Sequence, residues 1–247
     1  MQQRLEEALA GVAAQPIDVI CAGRTDTGVH ASGQVVHFDT SSERSRRSWL
    51  LGANSSLPDD INVTWVQPVA DDFHARFSAT SRSYRYRILN RLQRSALHRN
   101  CAWWIYQELD AERMHAAAQL LVGRHDFSAF RAAGCQASSP LREISNISVQ
   151  RSGDWLTLDV TANAFLQHMV RNITGTLAAI GLGEQGAVLL GDKKAGRDAV
   201  DPHPDAREVH REPLCKVAHR CLGAAIGGNL RERSERAHRR DVDDHAL

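Results

Sequence analysis

The chain has 247 residues and 43% hydrophobic content, enough for one large domain or two modest ones, each with its own core. No apolar run approaches the roughly 20 residues that span a bilayer, and a formal net charge of +1 does not by itself announce a nucleic-acid binder. Cys21, Cys101, Cys135, Cys215 and Cys221 form neither a CxxC pair nor a secreted-type framework, and Met1 to Glu7 lacks the apolar segment of a signal peptide. Free thiols and a cytoplasmic address are the expectation.

Leu5, Leu9 and Val12 stand at helical spacing and predict an amphipathic helix over residues 2 to 14, closed by Pro16. Ile17 to Cys21 reads as a short strand, Gly23 to Gly28 as a turn-rich loop and Gln34 to Phe38 as a returning strand. A helix over about 43 to 53, ended by Asn54 and Pro58, precedes an alternating strand from Ile61 to Val66. Ser83 to Leu89 is a further strand, with Tyr84, Tyr86 and Ile88 on one face and Arg85 and Arg87 on the other. Asp110 is a fitting N-cap for a helix from Ala111 to Val122 that Gly123 terminates. Arg142 to Gln150 and Trp155 to Thr161 predict a hairpin turning at Ser152, Gly153 and Asp154. A last helix is expected from about Phe165 to Ile180, with Gly181 as its cap and Phe165, Met169, Ile173 and Leu177 as a core-facing stripe. Such an alternation in two comparable halves suggests an α+β architecture of two subdomains facing a cleft.

The charge distribution says more than the net charge. From Phe73 to Gln107 there is no Asp or Glu, while Arg76, Arg82, Arg85, Arg87, Arg91, Arg94 and Arg99 fall within that stretch. A one-sign block ordinarily marks a solvated face. Here Tyr84 and Tyr86 are interleaved with it, and aromatic rings beside guanidinium groups suit base stacking with phosphate contact.

Asp26 lies in a loop between two predicted strands, with Gly23 and Gly28 around it. Aspartate in such a turn commonly serves the turn itself. The alternative is chemical: Arg24 can share its side of an extended backbone and keep the carboxylate ionised, as a nucleophile or general base must be. His30, His37 and His74 match no metal spacing, and His210, Cys215, His219 and Cys221 fit no familiar zinc module. Neither a phosphate-cradling glycine loop nor a serine elbow is present, so no cofactor and no metal are expected.

Three segments together resemble a known family. Cys21-Ala22-Gly23-Arg24-Thr25-Asp26-Thr27-Gly28-Val29-His30-Ala31, continued by Gln34-Val35-Val36-His37-Phe38, is similar to the catalytic segment of bacterial tRNA pseudouridine synthases of the A type. Phe73 to Thr80 with Arg82 to Tyr86 resembles the second motif, and Asn163 to Asn172 the third. The likeness covers about residues 3 to 185. It implies the pseudouridine synthase fold, with antiparallel or mixed sheets in two subdomains flanking a central RNA-binding cleft. It further implies a cofactor-free homodimer that isomerises uridine to pseudouridine at positions 38 to 40 of the tRNA anticodon stem-loop, with the target base flipped out. Asp26 matches the essential aspartate, Tyr84 the tyrosine that stacks on the target base, Arg171 the arginine that pairs with the aspartate, and Arg24 an RNA-contacting arginine. His30 and Arg76 are the further substrate-contacting candidates. An N-terminal catalytic subdomain over 1–80 and a C-terminal subdomain over 81–185 follow from the same resemblance.

Two departures accompany it. The family opens with a strand before the first helix, whereas this chain opens on the helix, so a neighbouring strand is expected to lie unpaired. All fourteen aromatic residues lie at or before Phe165, and the tail 186–247, rich in Arg, Asp, His, Ala and Gly, reads like a displaced reading frame or a disordered extension. On that basis the alternative function is a catalytically inactive RNA-binding remnant of the family.

Overall fold

A computed structural model describes residues 1–184; the expectations placed on the tail and its His/Cys cluster fall outside them. Two compact units result among the described residues, the first built from Met1–Asp26 and Gln34–Ala79, the second from Thr27–Gly33 and residues 80–184. Helices and a mixed sheet are both present, in keeping with the α+β expectation.

In the first unit, α1 (Gln2–Ala13) ends where Ala14 adopts a left-handed φ of 56°, two residues before Pro16. Leu9 and Ala13 are buried, Leu5 and Val12 pack beside them, and Ile17, Val19, Trp49 and Ala53 complete a small core. The strands are shorter than the hydrophobic runs predict. β1 (Ile20–Cys21) pairs antiparallel with β2 (Val36–His37), Ile20 opposite His37 and Cys21 opposite Val36. Just before β1, the backbone of Val19 is engaged by helix side chains. Its N–H donates to Glu6 Oε1 (3.2 Å) and its carbonyl accepts from Gln2 Nε2 (3.0 Å). The expected open strand edge is therefore closed at that residue.

α2 (Arg46–Ser56) starts three residues later than its pattern suggests because Ser45 is the cap, its hydroxyl accepting from the Ser48 N–H at 3.1 Å. Asn54, expected to end the helix, lies inside it and reaches Val63. Its Nδ2 donates to the Val63 carbonyl and its Oδ1 accepts from the Val63 N–H, both at 2.8 Å. Those bonds explain a failed expectation. The alternating run Ile61 to Val66 is no strand, since an amide side chain takes the place of a partner strand at its centre.

The second unit holds a five-stranded sheet in the order β4-β3-β7-β6-β5: β3 (Arg82–Asn90), β4 (Trp103–Ile105), β5 (Gly123–Asp126), β6 (Leu141–Ser152) and β7 (Trp155–Ala162). All pairs are antiparallel except β3 with β4. The predicted hairpin is present, with Ser152 opposite Trp155 and Gly153 at a φ of 56°, a conformation that costs glycine little. Leu156, Leu158, Val160 and Ala162 alternate inward along β7. Against them lie Met114, Ala117 and Ala118 of α3 (Ala111–Gln119) and Met169, Ile173 and Leu177 of α4 (Met169–Gly181). Each large side chain fully withdrawn from water here contributes about 1.5–3 kcal/mol.

Asp110 caps α3 as expected, its Oδ1 accepting from the Arg113 N–H at 2.9 Å. Gly123 does not terminate that helix. It opens β5 at a φ of 102°, four residues after α3 ends at Gln119 and directly after a turn in which Leu121 and Val122 donate to Ala118 and Gln119. α4 begins four residues after the expected Phe165, because His168 takes a left-handed φ of 61° and interrupts the helical path.

Asn90, at the end of β3, is buried and bonds with its whole amide. Nδ2 donates to the carbonyls of Ile105 (3.0 Å) and Gln107 (2.6 Å), while Oδ1 accepts from the Leu109 N–H (3.1 Å) and Arg151 Nη2 (2.7 Å). This joins β3, β4, the approach to α3 and β6 at one side chain. It also explains how the parallel strand β4, unmarked in the sequence pattern, is fixed to the sheet edge.

Candidate active site

The segment carrying Asp26 leaves β1 without regular structure. Gln34 Nε2 donates to the Gly23 carbonyl at 2.7 Å, tying the return strand to the loop's departure, and the Ala22 N–H donates to the Val35 carbonyl at 2.8 Å. Arg24 and Asp26 are exposed while Thr25 between them is half-buried. That alternation is what an extended backbone produces, and it gives the cation and the carboxylate the same solvent-facing character. Gly28 then turns the chain at a φ of 84°. His30, four residues after Asp26, is half-buried, and its Nε2 is enclosed without a hydrogen-bond partner among the described residues.

Arg76 sits in the first unit, on a turn between His74 and Ser78. The Ser78 N–H donates to the His74 carbonyl at 2.7 Å, and Ala75 beneath is fully buried. In the second unit, Tyr84 lies on the core side of β3, half-buried, its ring edge-on to Phe165 at 5.1 Å between centroids. Arg171 is in the first turn of α4. Met169 and Ile173 on either side of it are fully buried, and Arg171 itself is exposed, off the apolar stripe as its spacing suggests.

The arginine block is less uniform than its sequence. Arg85 forms a two-pronged ion pair with Asp159 across the β3–β7 pair, at 2.7 and 3.0 Å, which raises the guanidinium pKa further through hydrogen bonding and charge attraction. Arg87 lies over the Trp155 ring at 4.2 Å, and Arg91 bonds Asp154 at 3.2 Å. Arg82 donates to the Asn163 carbonyl at 3.0 Å. Four of the arginines expected to meet phosphates thus have partners on or beside the sheet, Arg85 while remaining exposed; Arg76, Arg94 and Arg99 are exposed as well.

Gln34, which pins the loop of Asp26, was no candidate on sequence grounds, as a lone glutamine in an apolar run carries no distinguishing signal. Asn163 was also overlooked as an anchor. Its Oδ1 accepts from the Glu143 and Ala164 N–H groups at 3.1 and 2.7 Å, setting the path of the third motif as it leaves β7. Among the described residues, no group of three or more His, Cys, Asp or Glu is arranged to hold a metal ion, and no helix is long and apolar enough to cross a membrane.

A family model described as tRNA pseudouridine synthase matches residues 1–78 and 117–220. These segments include Asp26, Arg24, His30, Arg76 and Arg171, while Tyr84 lies in the stretch between them. A tRNA pseudouridine synthase A of Pseudoalteromonas atlantica is 61% identical over 181 residues, covering 73% of this chain and 69% of that protein. One from Shewanella amazonensis is 56% identical over 185 residues, 75% of this chain and 71% of the relative. In Xanthomonas euvesicatoria a protein of the same name is 52% identical over 206 residues, 83% and 80% of the two chains. The chain therefore belongs to the tRNA pseudouridine synthase family, and it is an enzyme.

Proposed function

We propose that this enzyme isomerises uridine to pseudouridine in tRNA, at positions 38, 39 and 40 of the anticodon stem-loop, with Asp26 as its catalytic residue. The observation that carries the reading is an aspartate exposed on a loop held at its base by Gln34 and Gly23, inside a segment matched by the family.

The chemistry fits a carboxylate. The uracil N1–C1′ bond breaks, the base turns, a C5–C1′ bond forms, and the C5 proton is lost to solvent while N1 gains one. No electrons are exchanged with another molecule, so the reaction is balanced without a redox partner. An ionised carboxylate serves as nucleophile, at the ribose or at the base, or as the base that removes the proton. Arg24, His30, Arg76, Tyr84 and Arg171 are the residues proposed to hold the RNA, the tyrosine through stacking and the arginines through phosphate and carboxylate contacts. A homodimer working in the cytoplasm completes the proposal.

Tritium release from tRNA labelled at uridine C5 tests it. Release by the full chain is expected, and Asp26→Asn, which keeps the shape and removes the charge, should lower the rate by about three orders of magnitude or more with tRNA affinity retained. A wild-type chain that binds tRNA and releases no tritium would instead be the inactive RNA-binding remnant.

A further inference from the structure

Phe77 exposes 77% of its surface. A lone exposed phenylalanine is ordinary, but this one is built into a fixed assembly. Its ring stacks on His74 with centroids 4.2 Å apart and planes 28° from parallel. The Arg76 guanidinium stands 5.9 Å from the ring centre. The turn beneath is rigidly bonded. His74 Nδ1 accepts from the N–H groups of Arg76 (3.2 Å) and Phe77 (3.3 Å), and the His74 N–H donates to Ser78 Oγ at 3.1 Å. From β2, His37 Nδ1 accepts from the Ala75 N–H at 3.1 Å, its ring 4.8 Å from that of His74. One face of the phenyl ring is therefore backed by an imidazole that the backbone itself orients, the Arg76 guanidinium lies over the ring, and most of the side chain meets solvent.

We infer that the His74–Phe77 stack is a platform for an unpaired base of the tRNA, with Arg76 beside it to meet the adjoining phosphate. Deepening the function proposed above, this inference rests on that reading. A planar aromatic surface is what a base splayed from its helix requires, and a neighbouring long-stemmed cation supplies what its backbone requires. Charge selects this occupant over an apolar protein surface, since the turn segment from Phe73 to Ala79 carries Arg76 and no acid. The preformed turn lowers the ordering cost of binding. His74 is a positioning residue here: it orients the ring and the backbone that carry the contact.

The experiment compares the full-length wild type with Phe77→Leu, Phe77→Trp and His74→Asn. It measures Kd for an unmodified tRNA transcript, KM and kcat by tritium release, and molecular mass by sedimentation. Leucine keeps the apolar bulk and removes the π-face. It should raise Kd and KM about five- to hundred-fold, with kcat within about twofold of wild type. Tryptophan should retain wild-type affinity. Asparagine at position 74 retains an acceptor for the two backbone N–H groups but removes the supporting ring, and should fall between. Wild-type affinity in Phe77→Leu overturns the platform while leaving pseudouridine formation intact. A wild type that releases no tritium but loses tRNA affinity in Phe77→Leu removes the isomerase reading and keeps the platform. A wild type that fails to bind tRNA overturns both, and a loss of affinity explained by dissociation of an oligomer assigns Phe77 to a protein interface and overturns the inference.

Discussion

Glu6 shows how one side chain can stand in for a strand. Its carboxylate receives Gln2 Nε2 at 2.8 Å and the Val19 N–H at 3.2 Å, and these two bonds, the glutamine's first, hold its pKa below the ordinary value near 4.5. A group whose pKa falls on folding stabilises the protein above its unfolded pKa, and that stabilisation is lost as pH falls through the lower, folded value. Glu6→Gln should therefore cost stability at pH 7, and the difference from wild type should shrink as pH falls below 4.5 and through the lower, folded value. Denaturant midpoints taken across pH 3 to 7 would show it. A difference independent of pH would assign the effect to shape instead of charge. Asn54 belongs to the same class of residue. Asn54→Ala leaves the N–H and carbonyl of Val63 to other partners, and should destabilise the protein by about 1–3 kcal/mol in equilibrium unfolding.

Among the elements, those governed by local chemistry were the legible ones. α1, the Asp110 cap of α3 and the hairpin at Gly153 each depend on residues within a turn of one another, and each was read from the pattern. The segment 61–66 has the alternation of a strand and is not one, because its partner is a side chain nine residues away. β4 went unread because three residues paired in parallel with β3 leave no periodic trace, and β5 because its first residue, Gly123, reads as a helix terminator and Arg124, His125 and Asp126 after it are polar throughout. Among the functional candidates, the proposal of Asp26 rests on its motif, not on its loop alone. The arginine block was only partly so, since Asp159, which neutralises Arg85, lies 74 positions further along. A close approach invisible in sequence occurs at the end of α4. A Cβ on Gly181 would lie 2.8 Å from both Cγ and Sδ of Met114, a side chain with no exposed surface, and 3.3 Å from Leu109. Gly181→Ala should destabilise the protein by about 1–3 kcal/mol through overpacking. Met114→Ala in the same chain should recover part of that loss, which a thermal unfolding series on both variants can measure.

At the scale of the whole molecule, a net charge of +1 provides little long-range attraction for RNA, so association must depend on local cations. The affinity for tRNA should fall linearly with the logarithm of salt concentration, and Arg76→Ala should reduce the steepness by about one neutralised phosphate. Arg85→Ala, which removes a cation already paired with Asp159, should leave the slope unchanged and lower stability instead. Binding isotherms over a salt series would separate the effects of the two substitutions. The fully bonded amide of Asn90 bears on the lifetimes of structure. Because one side chain fastens the ends of β3 and β4, the Leu109 N–H and Arg151, the edge strand has no inexpensive way to peel from the sheet. In deuterium exchange, the amide proton of Leu109 should persist as long as those in the middle of β7, although it precedes a helix and belongs to no strand. Asn90→Ala should shorten that persistence while the protons of β7 remain protected, turning the sheet's edge into a region that opens by itself.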